Sequence, residues 1–257
     1  MDAGALRQAC AQLVAAKAQL DDWLVEGNAL GERRSLIGDG FAAWRTWQAR
    51  LPSSYVSPAD FHDGPWREVP EPCQFLAAAL PGADFGPVRF DRAHADLGNR
   101  PWTEVDSALV VGGLWRRPEV PDPWEGWRAV LAKINEGGGA QYAQVGSLPL
   151  YAAVEGKNRV SLAQRLRSPV TAEVAAAAFP EAGCLRLHRV RPWHTVAVAV
   201  SQGDDGEPQY LPLPEESTAV LTAYGASWHP GTMGARGGHQ DALDAARERL
   251  LGRILRM

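Results

Sequence analysis

The chain is short of cysteine. Cys10, Cys73 and Cys184 lie far apart, and none belongs to a C-x-x-C pair. That leaves neither a zinc cage nor a disulfide framework to organise the fold, and it suits a reducing compartment. Long apolar runs are missing as well: none approaches the ~20 residues that a membrane-spanning helix needs. Met1-Asp2-Ala3-Gly4 opens with an acid where a signal peptide carries cations. The expectation is a cytoplasmic protein without a membrane span. Excess positive charge is also lacking. A net charge of −4 argues against binding nucleic acid over the whole surface, and leaves room for a local basic patch.

The rest of the composition is that of an ordinary globular protein: 257 residues, 46% hydrophobic and 22% charged. A chain of this length buries a sizeable core in one large domain or two small ones. Ten tryptophans stand out. Many adjoin Pro or Arg, as in Pro65-Trp66-Arg67, Pro101-Trp102, Pro123-Trp124 and Pro192-Trp193. Two readings stay open: they pin loops onto a core, or they are surface anchors for a partner, because Trp and Arg dominate interface hot spots.

Apolar residues recur at helical spacing over 5–25 (Leu6, Ala9, Leu13, Ala16, Leu20, Trp23, Leu24) and again over 41–51 (Phe41, Trp44, Trp47, Leu51). Residues 52–103 are rich in Pro, Gly and Asp, with one helix expected at Cys73–Leu80, so a boundary is placed there. The expected organisation is a helical and extended region over 1–102, then a domain over 103–257. His62, Asp63, His94 and Asp96 lack the tight spacing of a metal motif. Beyond 103 the pattern becomes regular. It predicts a strand over 105–113, a helix over 123–137, a strand over 148–154, a helix over 159–167 and a short strand at 171–174. Ala175–Phe179 is compatible with a helical turn. Strands are expected again at 184–190 and 195–201, then short strands and loops with a flexible run over 229–238, and a closing amphipathic helix over 239–256. The fold class is α/β (α+β), a small mixed sheet with helices.

The stretch Val154-Glu155-Gly156-Lys157-Asn158-Arg159-Val160 is where this order turns to chemistry. A strand ends, a glycine turns the chain, and a helix begins with polar and cationic side chains about its first amides. Unpaired N–H groups and the positive end of the helix dipole suit an anion there. Arg159 can fork onto phosphate. Lys157 adds a point charge, Asn158 a two-way polar group, and Glu155 a base or a Mg²⁺ ligand. The bland alternative is a tight turn with a solvated charge cluster. The string Gly31-Glu32-Arg33-Arg34 has no strand before it and reads as a surface turn.

Strand, Trp-containing helix, glycine, strand, then acidic-Gly-x-x-Arg opening a helix: over roughly 105–200 this order resembles the ParB/sulfiredoxin superfamily. There a small sheet places a G-x-x-R motif at a helix N-terminus. The resemblance implies nucleotide binding by Gly156, Lys157, Asn158 and Arg159, with Glu155, Lys157 and Arg159 as the catalytic set, Glu155 on the metal, and ATP (or another nucleotide) with Mg²⁺ as cofactors. Lys157 stands where sulfiredoxins have their reactive cysteine, which excludes thiol repair. Asn158 replaces the second arginine of the partition motif, and no helix-turn-helix follows. The remaining likeness is to stand-alone ParB-like domains such as the Osa-like fertility-inhibition proteins of conjugative plasmids. It implies ATPase and DNase activity, and inhibition of a conjugative DNA-transfer system.

Phosphoryl chemistry mostly needs positioned charge. One carboxylate is thin for that purpose; Glu136 or Glu173 is the expected second. The segment 159–194 is locally basic, with Arg159, Arg165, Arg167, Arg186, Arg189 and Arg191 around Trp193. Arginines beside an aromatic ring suit a single-stranded nucleic acid such as DNA. Alternation places Arg186 and His188 on one face of a strand; the plain alternative is the solvated face of a sheet. His188 and His194 are candidate nuclease bases. Two other functions stay open: a non-catalytic protein that blocks a secretion or DNA-transfer component through its tryptophans, and a small-molecule kinase of the ParB-like fold.

Overall fold

The computed structural model describes residues 2–30, 71–90, 102–112, 124–136, 139–191, 197–203, 206, 208–211 and 213–234. The chain begins with a long helix, α1 (Ala3–Leu30). Asp2 starts it, its carboxylate accepting from the amides of Gly4 at 2.9 Å and Ala5 at 3.3 Å. Leu6, Ala9, Leu13, Ala16 and Leu20 are all buried, as their spacing requires. Helix α2 (Pro72–Ala79) has Pro72 in its first turn, where the missing N–H costs nothing, and buries Phe75 and Leu76.

The first sheet has five strands in the order β1-β5-β3-β4-β2. These are β1 (Trp102–Val105), β2 (Val110–Val111), β3 (Gln141–Val145), β4 (Tyr151–Glu155) and β5 (Val170–Ala177). Helix α3 (Trp124–Glu136) precedes β3, and helix α4 (Lys157–Leu166) joins β4 to β5. Both faces of the sheet are covered, and adjacent residues of one strand enter different cores. Ala153, Tyr142 and Val110 join α3 and α4 on one side. Ala152, Ala143 and Val111 join α1 and α2 on the other.

The second sheet has the order β8-β7-β6-β9. Its strands are β6 (Leu185–Arg191), β7 (Ala197–Gln202), β8 (Gln209–Tyr210) and β9 (Ser227–Gly234), with helix α5 (Pro214–Tyr224) before β9. Leu185, Leu187 and Val200 belong to the same core as Leu6, Phe75 and Ala152. The described part of residues 1–102 therefore shares one core with both sheets, and α1 packs directly on α5. The protein is mixed α/β, with helices on two mixed sheets. No helix among the described residues is long and apolar enough to cross a membrane.

Several expectations are corrected. The strand over 105–113 is two short strands separated by a 3-10 turn, Ser107–Leu109, which Asp106 caps by accepting from the Ala108 amide at 3.0 Å. Ala175–Ala177 continue β5 instead of turning into a helix, because they pair in parallel with Ala143, Gln144 and Val145. His229–Gly234, expected as part of a flexible run, lie in β9 beside β6 at the edge of the described sheet, where Pro230 has no ladder on its outer side among the described residues. β3 and α5 were not anticipated. The helices expected over 41–51 and 239–256 lie outside the described residues.

Candidate functional site

Gly156 adopts a left-handed conformation (φ 83°, ψ 23°) between β4 and α4. A Cβ added there would sit 3.1 Å from the Cβ of Ala140 and 4.0 Å from the hydroxyl of Tyr142. Conformation and space thus both favour glycine. Gly156 offers no side-chain cap, so the first turn of α4 opens without one. Behind the turn, Val160 is fully buried and fastens α4 to the sheet.

The expected site residues gather at this turn. Glu155 is the last residue of β4 and is exposed. Asn158 is exposed, while Lys157 and Arg159 are half-buried. Lys157 Nζ donates to Glu71 Oε2 at the start of α2, forming an ion pair. Arg159 Nη1 lies 3.4 Å from the carbonyl of Thr171 on β5. Burial lowers its pKa from the usual arginine range, while the neighbouring Tyr142 phenol opposes that change. Tyr142 is fully buried, and its hydroxyl has no hydrogen-bond partner among the described residues. Burial drives its pKa well above the ordinary phenol value, against the pull of the Arg159 guanidinium.

A second carboxylate does stand near the turn. Gln141 on β3 is in register with Glu155 on β4 and with Glu173 on β5. Its amide donates to Glu173 Oε2 at 3.2 Å. Two strand spacings separate Glu155 from Glu173, about 10 Å at Cα. The two acids therefore share one end of the sheet with Gln141 between them. Glu136 is exposed at the end of α3. Among the described residues no group of three or more His, Cys, Asp or Glu side chains could hold a metal ion. Mg²⁺ usually takes one or two protein carboxylates and completes its shell from phosphate and water, so Glu155 and Glu173 fit this ion only together with a phosphate ligand.

The basic segment divides between the two sheets. Arg165 and Arg167 lie on α4 and its C-cap, over the first sheet; Arg167 holds a left-handed φ of 50°. Arg186 and Arg189 lie on β6 of the second sheet, and Arg191 ends that strand. Arg186 Nη1 donates to the carbonyl of Gly183 at 2.7 Å. The Arg189 guanidinium lies 5.1 Å from the ring centre of Trp228, which is 36% exposed on β9. The aromatic partner found on this sheet is thus Trp228; Trp193, expected in that role, and His194 lie outside the described residues. His188, expected on the outer face with Arg186, is instead buried. Its Nε2 is 3.0 Å from Ser201 Oγ, and its ring stacks on His229 with centroids 5.0 Å apart. Burial, then the neighbouring His229, depresses its pKa.

Four residues at or behind the turn were missed. Tyr142 and Glu71 could be found only in three dimensions. Lys17 and Asp21 carried a signal: they fall on the apolar face of α1, one turn apart, beside Leu13 and Leu20. The Gly31–Arg34 string and His62, Asp63, His94 and Asp96 lie outside the described residues. No protein-family model matches this chain, and neither the curated proteins nor the solved structures contain a match to it.

Proposed function

We propose that the β4–Gly156–α4 turn binds the phosphates of a nucleotide. The observation that carries this reading is the left-handed glycine at an uncapped helix start, with Lys157, Asn158 and Arg159 in the first turn. The amides and the helix dipole favour an anion, and Arg159 is within reach of the same turn. In this reading ATP is the nucleotide, and Glu155 with Glu173 would hold Mg²⁺ beside it. The ion would supply charge neutralisation at the phosphates. Lys157 offsets charge on the ligand, and Asn158 orients it. From the resemblance come the further parts of the proposal: a cytoplasmic ParB-like ATPase or DNase that inhibits conjugative plasmid transfer. The Arg189 guanidinium beside the Trp228 ring supports a DNA-facing surface on the second sheet.

A second reading has its own observation. Lys157 bonds Glu71 and Arg159 bonds Thr171, so both cations of the motif are engaged inside the protein. That favours a structural turn in a non-catalytic protein that acts by occupying a partner. Calorimetry with ATP, ADP and CTP, with and without Mg²⁺, decides between them. Wild type is expected to bind one of these, and Arg159→Ala, checked as folded by circular dichroism, to lose at least tenfold in affinity. A folded wild type that binds none of the three would leave the partner-blocking reading.

A further inference from the structure

Among the described residues, Lys17 and Asp21 are the only Lys, Arg, Asp or Glu side chains that are buried, at 1% and 2% exposure. They sit one turn apart on α1, and Lys17 Nζ donates to Asp21 Oδ2. The ammonium lies 5.8 Å from the Phe75 ring centre in α2 and 3.4 Å from the carbonyl of Gly112. The other carboxylate oxygen, Asp21 Oδ1, has no hydrogen-bond partner among the described residues. Lys17 and Asp21 line a cavity of about 30 Å³ with Gly112, Ser161 and Gln164. That volume holds one water molecule. Ser161 and Gln164 belong to α4, so the pair lies against the back of the motif helix.

Gly112 connects the pair to the motif more closely. A Cβ on Gly112 would sit 3.0 Å from Val160 Cγ1 and 3.5 Å from the carbonyl oxygen of Lys157. The backbone that accepts from Lys17 therefore packs on the first turn of α4. The other charged groups that act on the pair are Glu71, at the start of α2, and Lys157, at the start of α4, which are bonded to each other. With all four ionised, Lys17 and Lys157 balance Asp21 and Glu71. One proton on Asp21 leaves the cluster with one net positive charge behind an uncapped helix start.

We propose that Asp21 and Lys17 are positioning residues for the phosphate site and make its hold on an anion depend on pH. This rests on the phosphate-binding reading of the turn. Burial pushes the Asp21 carboxyl up to about 7, although the Lys17 ammonium pulls it back, and burial lowers the Lys17 pKa as well, although Asp21 opposes that fall; the carboxyl is the group that gains and loses its proton close to neutrality. Below that point the added positive charge favours an anion at α4. By linkage, a bound anion raises the proton affinity of Asp21 to the same extent.

The first test needs no ligand. Backbone amide resonances of Gly112, Lys157 and Asn158 are followed by NMR from pH 5 to 9 on the full chain. In wild type they should shift with a midpoint near 7. Asp21→Asn should remove that midpoint. So should the double variant Lys17→Met/Asp21→Leu, which keeps the volume apolar and folded if the single change does not fold. Amides that do not titrate, or that titrate equally in the variants, overturn the proposal. The second test uses sulfate, whose charge is constant over this range. Wild type should bind it about three- to tenfold more tightly at pH 6 than at pH 8.5, as expected for one added charge at moderate range, and the variants should show a ratio near one. Sulfate binding without pH dependence in wild type overturns this proposal alone. Absence of sulfate binding at every pH overturns the phosphate site, and the proposal with it.

Discussion

Arg7 and Lys17 both lie on α1, and both meet a carboxylate. Arg7 Nη2 reaches Asp106 Oδ2 at 2.8 Å, with the two side chains 53% and 48% exposed. Lys17 meets Asp21 with side chains 2% and 3% exposed. The chemistry is the same and the solvent is not. Water screens the outer pair, so its Coulomb attraction is small and is reduced further by salt. The inner pair has lost its hydration, and each charge depends on the other. The Lys157–Glu71 pair, at 17% and 35%, falls between them. The lesson is that burial, more than bond geometry, sets what an ion pair does to this protein.

The comparison breaks most visibly at Asp21. Above about pH 7, where Asp21 is ionised, Asp21→Ala strands an ammonium in the core and should cost about 3–5 kcal/mol in urea unfolding, whereas Lys17→Met/Asp21→Leu should recover most of that loss. If the single change were harmless, the inner pair would be no different from the outer one. The pH dependence sharpens the same point. The folded state raises the Asp21 pKa from 3.8 to about 7. The stability this group contributes is fully present below about pH 4 and is lost as pH rises through about 7. Urea midpoints measured across that window should fall for wild type relative to Asp21→Asn. Glu71→Gln should have an intermediate effect of about 1–2 kcal/mol, because it removes the charged acceptor of the half-buried Lys157 ammonium. The smallest effect is expected at Arg7→Ala, about 0.5 kcal/mol and fading with added salt. Asp106→Ala should cost more than Arg7→Ala, about 1 kcal/mol, because it also removes the cap on the Ala108 amide.

The sequence was most informative where local chemistry decides conformation. Gly156 between an apolar run and Ser161–Leu166 announced both the turn and α4, and Leu6, Leu13 and Leu20 announced the buried face of α1. It was least informative where the sheet overrules local preference. Ala175-Ala176-Ala177 have helical propensity, yet they are extended because β3 lies beside them. Gln141-Tyr142-Ala143-Gln144-Val145 has few β-branched residues to mark it as a strand. Helix α5 did carry a signature that went unread: Pro214 followed by Glu215 and Glu216 in its first turn. Within the site, Glu155–Arg159 were legible because they are contiguous. Glu71 was not, since it reaches Lys157 from 86 positions away, and no spacing rule covers that distance.

The packing of α1 on α5 also has a consequence in time. A ribosome makes α1 before α5, and its partner surface on residues 214–224 is translated long afterwards. At ordinary elongation rates the delay is on the order of ten seconds or more. Throughout it, a helix that carries Leu6, Leu13 and Leu20 together with an ion pair built for burial has no finished core to enter. The yield of folded protein should therefore depend on translation speed between α1 and α5.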